Sequence, residues 1–387
     1  MVIRFNFPHQ VGTEIEYIQD ALKCGRLAGD GPYTKKCSEL LGAYLGVKNV
    51  LLTHSCTAAL EMAAILSDIQ PGDEVIMPSY TFVSTANAFV LRGALPVFVD
   101  IRPDTLNIDE SLIEAAITSR TKAIVPVHYA GVACEMDTIM EIARKHGLLV
   151  IEDAAQALGS TYKNRKLGTI GDLATFSFHE TKNIVSGEGG ALVVNNPQFF
   201  ERAEIIREKG TNRSRFFRGE VDKYTWVDVG SSYLPSELVA AFLFAQLQHI
   251  DEINGRRMAI WKRYESGMLS LKNDGLITFP VSPCECIHNA HMFYLLTRTH
   301  AEQVGLIAAL KANGINAVFH YVPLHATDAG RKFSRTGSAM TVTEDLPDRL
   351  IRLPLYPALH EDKIAFICAT IEMFVRGWRG AYDERQK

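Results

Sequence analysis

Apolar runs alternate with amphipathic stretches along the first 250 residues of the chain. Between these runs, apolar residues recur at three- and four-residue spacing, which predicts helices. Strands that alternate with helices form βαβ units with right-handed crossovers. The pattern therefore predicts an α/β fold with a mostly parallel central sheet flanked by helices. Its buried strands are expected at residues 49–53, 74–77, 97–99, 123–128 and 148–152, and its helices at 55–65, from about 109, and at 137–146.

Two amphipathic helices are predicted ahead of the first strand. Thr13 and Glu16 have the spacing of a capping box, and Gly25 marks the end of the first helix. The second helix follows the turn at residues 29–32. The apolar positions of the first helix are Ile15, Ile18 and Leu22, and those of the second are Cys37, Leu40, Leu41 and Leu45.

The last third of the chain predicts a second, smaller α/β unit. A long helical region begins at Ser236 and continues past Arg257. We place a domain boundary within it, between a large domain of residues 1–250 and a small C-terminal domain of residues 251–387. In the small domain, strands are expected at 276–279, 292–296 and 315–319, and helices at 300–313 and 361–376.

Composition narrows the class of protein. The net charge is -4 and the isoelectric point is near 6.3, whereas a nucleic-acid-binding domain normally carries a basic face. No apolar run reaches the length of a transmembrane helix, and residues 1–8 lack the layout of a signal peptide. We therefore expect a soluble cytoplasmic protein without a nucleic-acid or membrane partner.

The seven cysteines are an odd number and contain no Cys-x-x-Cys pair. This usage fits a reducing compartment better than a disulfide framework. Cys284 and Cys286 lie close to His288 and His291 in the sequence, but Cys-x-Cys is not the usual spacing of a zinc site. We therefore predict no metal.

Residues 176–190 contain a lysine with unusual surroundings. Lys182 is predicted in a short turn between an aromatic, strand-like run and the extended run at 191–195, with glycines that permit close backbone approach. An amine held in this way is a candidate nucleophile, provided that burial or nearby cations lower its pKa. The competing interpretation is a solvated loop lysine.

The predicted strand at 148–152 leads directly into Asp153. In open α/β sheets, ligands bind at the carboxyl ends of strands, and a buried carboxylate needs a cationic partner. The protonated ring nitrogen of pyridoxal 5'-phosphate (PLP) is such a partner, and Lys182 and Asp153 together are the pair that this cofactor requires. A helix cap or a core salt bridge would explain Asp153 equally well on its own.

An anion site is predicted at Ser55, Cys56 and Thr57, where a helix begins directly behind a strand. The free N–H groups and the positive dipole end of such a helix attract a phosphate. A simple serine cap explains Ser55 alone. Together with Lys182 and Asp153, the site favours PLP.

Several segments resemble the DegT/DnrJ/EryC family of PLP-dependent sugar aminotransferases, which act on nucleotide-linked keto sugars. The resemblance extends over nearly the whole chain and is carried by residues 152–156, 176–178 with Lys182, and 187–190. It implies the fold of the fold-type I aminotransferases, with a large domain and a smaller C-terminal α/β domain. It also implies a homodimer whose active site lies at the subunit interface.

The resemblance also assigns roles to residues. Lys182 is expected to bind PLP covalently and to move protons, and Asp153 to keep the ring nitrogen protonated. Gln156 is expected to bind the ring oxygen, Ser177, Ser55 and Thr57 the phosphate, and Phe82 one face of the ring. Relatives commonly have glycine where this chain has Cys56, which crowds the phosphate, and asparagine where it has Ser232, which is shorter and puts contact with the neighbouring subunit's phosphate in doubt. The candidate substrate contacts are His320 and Tyr321.

Within the family, four runs are most similar to a single branch. They are residues 78–89, 127–136, 207–213 and 230–233. The branch makes dTDP-4-amino-4,6-dideoxygalactose for bacterial surface polysaccharides such as lipopolysaccharide and enterobacterial common antigen. It implies dTDP-4-keto-6-deoxyglucose as the amino acceptor and L-glutamate as the donor.

Three other functions remain open at the level of sequence. A sister aminotransferase would act at C3 or give the other C4 epimer. A sugar 3-dehydratase of the same fold would have histidine in place of Lys182, so the lysine argues against it. A PLP-binding regulator would usually carry a basic helix-turn-helix segment, and the chain has no such appended domain.

Overall fold

A computed structural model describes residues 2–385 of the chain. Its helices are α1 (Glu14–Lys23), α2 (Pro32–Leu45), α3 (Cys56–Leu66), α4 (Val83–Val90), α5 (Ile113–Ala116), α6 (Met136–His146), α7 (Phe200–Arg207), α8 (Arg213–Phe217), α9 (Glu237–Leu247), α10 (Ile250–Gly267), α11 (Leu269–Asn273), α12 (His300–Ala312), α13 (Asp328–Phe333), α14 (Thr341–Asp345) and α15 (Glu361–Arg385). Its strands are β1 (Val50–Thr53), β2 (Glu74–Pro78), β3 (Leu95–Val99), β4 (Thr121–Ile124), β5 (Leu149–Asp153), β6 (Thr161–Tyr162), β7 (Arg165–Lys166), β8 (Leu173–Ser177), β9 (Gly190–Val194), β10 (Cys286–Ile287), β11 (Phe293–Leu296), β12 (Arg335–Thr336) and β13 (Leu350–Leu353).

The main sheet has the strand order β1-β9-β8-β5-β4-β2-β3-β12. The strands from β8 to β12 are paired in parallel, whereas β9 runs antiparallel to both β1 and β8. The strands of this sheet therefore share one direction except β9. Because β9 is reversed, its first residue lies at the edge where β1, β5 and β8 end.

The register places residues from distant parts of the sequence side by side at this edge. Gly190 pairs with Thr53 on one side and with Ser177 on the other. Asp153, the last residue of β5, pairs with Thr175 in β8. The carboxyl ends of the strands and the loops that follow them therefore form one rim, where ligands bind in open α/β sheets.

Each face of the sheet is covered by its own apolar layer. Within β2, Ile76 belongs to the layer under α2, α6 and α9, while Val75 and Met77 belong to the layer under α3 and α4. This alternation is the period of two that a strand buried on both faces must have. Burying each such side chain stabilises the fold by roughly 1.5–3 kcal/mol. The predicted α/β class with a mostly parallel, helix-flanked sheet is confirmed.

A further apolar cluster lies in the C-terminal part of the chain. It joins α10, α12 and α15 to the β11–β13 pair, and it includes Ile3 from the start of the chain. Ile3 pairs with Ile315, and β12 pairs with β3 in the main sheet. Segments from either side of residue 250 thus contact one another, and the division into domains 1–250 and 251–387 stays a prediction.

Some local predictions were wrong. Thr13 makes no capping hydrogen bond; instead, Glu14 accepts the N–H groups of Val11 and Gly12 at 2.8 Å each. Ile15 and Leu22, two of the three apolar positions of this helix, are exposed. The adjacent acid thus binds two N–H groups that precede the helix, and these are not the donors that a capping box would satisfy.

The predicted strands at 276–279 and 315–319 are reduced to isolated bridges. Thr278 pairs with Leu296, and Val318 pairs with Arg352. The main partner of β11 is β13, a strand that the sequence pattern did not predict. Each bridge consists of two backbone hydrogen bonds and does not continue into a ladder, so the neighbouring residues remain irregular.

The penultimate residue of β5, Glu152, is fully buried and has a structural role. Its carboxylate accepts the N–H groups of Gly168, Ile170 and Gly171 at 2.7 to 2.8 Å. His128 Nε2 also donates to it at 2.9 Å. His128 is thus a hydrogen-bonded core histidine.

Candidate active site

One cavity opens at the rim where the parallel strands end. Its volume is about 530 Å³, within the range of small-molecule sites in proteins. The structure brings together on its wall all but one of the residues predicted for the site. These are Lys182, Asp153, Gln156, Ser177, Ser55, Cys56, Thr57, Phe82, His320 and Tyr321.

Lys182 lies in the loop between β8 and β9. Phe178 N donates to Gly189 O at 2.8 Å, which closes the base of the loop. The next residue, Asn183, donates through Nδ2 to Asn289 O at 2.8 Å and so ties the loop to a distant segment. The backbone on both sides of the lysine is therefore fixed, and its side chain faces the cavity.

Burial lowers the pKa of the Lys182 amine below its ordinary value. Cys56 and Asp153 oppose this shift in pKa, whereas the charge of Arg352 adds to it. A lower pKa increases the neutral fraction of the amine, which is the nucleophilic form. The environment thus differs from that of the solvated loop lysine that the sequence left as an alternative.

Asp153 is 5% exposed and receives two neutral hydrogen bonds. Thr85 Oγ1 donates to Oδ2 at 2.7 Å, and the N–H of Ala155 donates to Oδ1 at 3.2 Å. Within residues 2–385, no lysine or arginine forms a salt bridge with this carboxylate. The core salt bridge considered from the sequence is therefore absent, and a buried carboxylate on a cavity wall is left without the cation that would balance it.

The start of α3 forms another part of the wall. Ser55 Oγ accepts the N–H of Ala58 at 3.1 Å, so Ser55 is the N-cap. The first N–H groups of a helix have no partner within it, and those of Cys56 and Thr57 remain for a bound anion. Thr57 Oγ1 is 2.8 Å from Ser84 Oγ, which adds a second hydroxyl group to the same corner.

Cys56 stands at the position that is commonly glycine in relatives. Burial raises the pKa of its thiol to about 12, and the charge of Asp153 contributes to the shift. The side chain is therefore neutral at pH 7 and does not repel a phosphate. The Cys56 side chain narrows the anion site at the start of α3 but adds no charge to that site.

Gly190 permits the close contact between the sheet and the start of α3. A Cβ atom at this position would lie 2.4 Å from the carbonyl carbon of Ser55 and 2.5 Å from Cys56 N. Both are backbone atoms, so the contact cannot be relieved by turning a side chain. The beginning of α3 would have to move.

We expect Gly190→Ala to weaken PLP binding at least tenfold, a loss of ~1.4 kcal/mol, because the displaced N–H groups no longer converge on one anion. Titration of the cofactor-free protein with PLP, followed by absorbance, measures the dissociation constant. Gly255→Ala in α10 is the control, since nothing lies within 4 Å of its Cβ position. Equal affinity of Gly190→Ala and wild type would contradict the assignment.

Gln156 is fixed by its own hydrogen bonds. Its Oε1 accepts the N–H of Ala130 at 2.7 Å, and its Nε2 donates to Tyr321 Oη at 3.3 Å. The second hydrogen of Nε2 remains for a ligand oxygen. The orientation of the amide is therefore set before any ligand binds.

His320 and Tyr321 lie on the cavity wall opposite the sheet rim. Burial lowers the pKa of His320 well below its usual range, and the charges of Arg352 and Lys182 add to this effect. The imidazole is thus neutral at pH 7, and its Nδ1 lies 3.1 Å from Tyr129 Oη. These side chains offer neutral, hydrogen-bonding contacts.

Phe82 caps the N-terminus of α4 with its backbone. Its ring lines the cavity, is 57% exposed, and has its centroid 6.4 Å from that of Tyr321. Phe82 is therefore not a core residue. A half-exposed aromatic ring at a cavity entrance is suited to stacking on a flat ligand.

Ser232 is the predicted residue that lies outside the cavity. It is exposed and forms a backbone bridge with Glu208. It does not contact the site of its own chain. Any role in cofactor binding would therefore require a second copy of the protein.

The sequence did not identify several residues that line the cavity. Thr81 and Thr85 are four residues apart, and their hydroxyl groups are 2.8 Å apart; their spacing was a usable signal because α4 begins between them. Arg352, in β13, gave no signal because its strand was not predicted. The other polar residues are Ser84, His179, Thr181, Glu188 and His291, and the apolar ones are Leu60, Val127 and Ala155.

The chemistry of the cavity fits PLP at three separate points. The uncompensated carboxylate of Asp153 suits a protonated ring nitrogen, the amine of Lys182 suits the carbonyl carbon, and the start of α3 suits the phosphate. The sheet places these groups at one rim. By fold and site, the protein is a PLP-dependent aminotransferase of fold type I.

Comparison with known proteins gives the family. The profile of the DegT/DnrJ/EryC1/StrS aminotransferase family matches residues 8–372. The chain therefore belongs to this family of PLP-dependent sugar aminotransferases, as its sequence motifs predicted.

Individual relatives agree over most of their length. The chain is 35% identical over 372 residues to the spore coat polysaccharide biosynthesis protein SpsC of Bacillus subtilis, covering 94% of this chain and 95% of that protein. It is 36% identical over 325 residues to GDP-perosamine synthase of Caulobacter vibrioides, covering 82% and 84%. The structure of Spr1654 from Streptococcus pneumoniae in its PLP form has a TM-score of 0.90 and 27% identity, covering 97% and 99%.

Membrane-spanning helices and metal-ligand clusters are both absent from the described part of the chain. Among residues 2–385, no helix is both long and apolar enough to cross a membrane. Among the side chains that the structure describes, residues 2–378, no group of three or more His, Cys, Asp or Glu converges as metal ligands would.

Proposed function

We propose that the enzyme transfers the amino group of L-glutamate to C4 of dTDP-4-keto-6-deoxy-D-glucose, which gives dTDP-4-amino-4,6-dideoxy-D-galactose and 2-oxoglutarate. Amino transfer is supported above all by one observation: Lys182 and Asp153 both line the same cavity. The substrate is supported by the runs that resemble a single branch of the family. Two of these runs, 78–89 and 127–136, contribute residues to the cavity wall.

The names of the relatives support the same chemistry. One is called a GDP-perosamine synthase and another a spore coat polysaccharide biosynthesis protein. We take nucleotide-linked sugars and polysaccharide synthesis from these names as the setting for this enzyme. The dTDP group and the C4 position come from the branch resemblance.

Lys182 has the central role in the proposed mechanism. PLP, when bound, supplies a carbonyl that accepts an amino group and a ring that takes up electrons from the adjacent carbon. Lys182 Nζ would hold the cofactor covalently in the resting enzyme. Once the donor amine replaced it there, the free Lys182 amine would take the proton from the donor α-carbon and later deliver a proton to C4 of the sugar.

Other residues hold the reacting groups in place. Asp153 keeps the proton on the ring nitrogen, and Gln156 donates to the ring oxygen. Phe82 covers one face of the ring and excludes water, since an aromatic ring stacks on a flat heterocycle. The phosphate is assigned to Ser55, Cys56, Thr57 and Ser177, and the sugar to His320 and Tyr321.

We propose a homodimer in which Ser232 approaches the cofactor phosphate of the partner subunit, through a bridging water because serine is short. Exposed aromatic residues in the segment that precedes Ser232 support the proposal that a partner subunit covers this surface. Trp226 is 81% exposed, Phe217 66% and Tyr224 51%. An exposed apolar patch of this kind is typical of a protein interface.

We also propose a cytoplasmic location and a division into domains 1–250 and 251–387. All seven cysteines are free, which supports a reducing compartment. The separate apolar cluster around α10, α12 and α15 supports the division.

The deciding measurement is the structure of the product. We expect NMR of the material formed from dTDP-4-keto-6-deoxyglucose, L-glutamate and the purified PLP-loaded enzyme to show an axial amine at C4. An equatorial C4 amine or a C3 amine would move the enzyme to a sister activity. The absence of any amino sugar, with the absorbance of bound PLP intact, would show that the substrate assignment is wrong.

A further inference from the structure

Arg352 is a charged residue on the cavity wall to which no role has been given. It lies in β13, and its backbone is fixed on both sides, by pairing with Tyr294 and by hydrogen bonds with Val318 of 3.1 and 2.7 Å. Its guanidinium carbon lies 4.9 Å from the centre of the Phe5 ring. The side chain therefore reaches the cavity from a rigid strand.

Among residues 2–378, whose side chains the structure describes, no Asp or Glu forms a salt bridge with the guanidinium of Arg352. Arg352 is half-buried, and its Nε atom is buried without a hydrogen-bond partner. A partly desolvated charge without a partner is costly. An arginine with open donors at a cavity wall is therefore suited to an anionic ligand, which it can bind through two parallel hydrogen bonds.

The neighbouring Arg257, unlike Arg352, has hydrogen-bond partners for its guanidinium group. Its Nε and Nη2 donate to the carbonyl oxygens of Ala290 and His291, at 3.1 and 2.6 Å. Burial lowers the pKa of Arg257 to about 9, and the charge of Arg352 contributes. Arg257 thus fixes the backbone at residues 290 and 291. The two guanidinium groups repel each other, and an anion at Arg352 would relieve this repulsion.

The other charged groups on the wall are Lys182, Asp153 and Glu188. Lys182 and Asp153 are assigned to the cofactor, and Glu188 lies at the rim with its side chain 70% exposed. Burial lowers the pKa of His291 well below its usual range, to which the charges of Lys182 and Arg352 contribute, so it adds no charge at pH 7. Among the residues whose side chains the structure describes (2–378), Arg352 is therefore the remaining cation on the wall for a ligand.

We propose that Arg352 binds the α-carboxylate of the amino donor. This inference rests on the proposed amino transfer. The α-carboxylate is bonded to the carbon that gives its proton to Lys182, and Arg352 is close enough to that amine to lower its pKa. The diphosphate of a nucleotide sugar is separated from C4 by the sugar ring, and the phosphate of PLP is assigned to the start of α3.

The test uses the PLP-loaded enzyme and α-methyl-L-glutamate, which carries the α-carboxylate but has no α-proton to lose. We expect Arg352→Gln to raise its dissociation constant, measured by the change in cofactor absorbance, by about 10- to 100-fold. Arg352→Lys should recover part of the affinity because it restores one charge. The dissociation constants for PLP and for dTDP should stay at the wild-type values.

Arg331→Gln is the control, since this arginine is exposed and pairs with Asp328 at 2.7 Å on the surface. Weaker binding of dTDP with unchanged binding of the amino acid would overturn the proposal and assign Arg352 to the nucleotide. Unchanged binding of both ligands would overturn it as well. If wild type does not bind the amino acid at all, the donor half of the proposed function fails together with it.

Discussion

Replacing Lys182 with alanine is expected to lower the rate of amino transfer by a factor of at least ~10³. The amine is both the group that holds PLP covalently and the carrier of the proton between the reacting carbons. Among the described residues, no second lysine lines the cavity, so no neighbouring amine there can replace it. The absorbance of covalently bound PLP should disappear in the same variant.

The rate is measured as amino sugar formed per enzyme, and the bound cofactor by its visible spectrum. Lys311→Ala is the matched control because Lys311 is an exposed lysine in α12, away from the cavity. The control should keep both the rate and the spectrum. A Lys182→Ala variant that did the same would remove the basis of the proposed mechanism.

Replacing Asp153 with asparagine is expected to lower turnover by a factor on the order of 10² to 10³, with the protein still folded. Asparagine has the same size, and its oxygen can still accept the N–H of Ala155. Its amide can donate to Thr85 Oγ1, which then donates to Thr81. What is lost is the negative charge that keeps the ring nitrogen protonated.

Circular dichroism and a thermal melt check the fold of this variant, and the product assay gives its turnover. Asp137→Asn is the control, since this acid is on the surface and pairs with Lys163 at 2.8 Å. Wild-type turnover in Asp153→Asn would show that the carboxylate is not the counter-charge of the ring.

The sequence predicted the parts of the site that lie at the ends of strong apolar strands. Asp153 ends β5 and Ser177 ends β8. The strand pattern, together with the rule that ligands bind at carboxyl ends, was sufficient for Asp153, whereas Ser177 was assigned from the family resemblance. Lys182 and the start of α3 follow from the same local signals.

Residues whose position depends on long-range pairing were not predicted. Arg352 reaches the cavity because β13 pairs with β11, although about 50 residues separate them. The strand expected at 315–319 forms only two isolated bridges, one between Ile315 and Ile3 and one between Val318 and Arg352 of β13. Sequence periodicity identifies an extended segment, but it does not choose between possible partners.

The capping box at Thr13 failed for a related reason. Gln246, in α9, donates to Glu14 Oε1 at 2.8 Å and so holds the carboxylate in place over the N–H groups of Val11 and Gly12. A contact across more than 200 residues of sequence thus decides which acid serves the start of α1. Local propensity is overridden by tertiary structure in this case.

The two acids at the end of β5 are neighbours in sequence and have unrelated duties. Since successive side chains of a strand point to opposite faces, Glu152 anchors a loop while Asp153 faces the cavity. Which of the two acids faces the cavity depends only on the alternation of side chains along the strand. Deleting one residue within β5 would turn each of these side chains to the opposite face of the sheet. The loop would lose its contact with Glu152 and the cavity would lose Asp153, although the composition of the strand would hardly change. A one-residue insertion or deletion in β5 is therefore expected to be poorly tolerated, because it moves the side chains of the strand to the opposite face of the sheet.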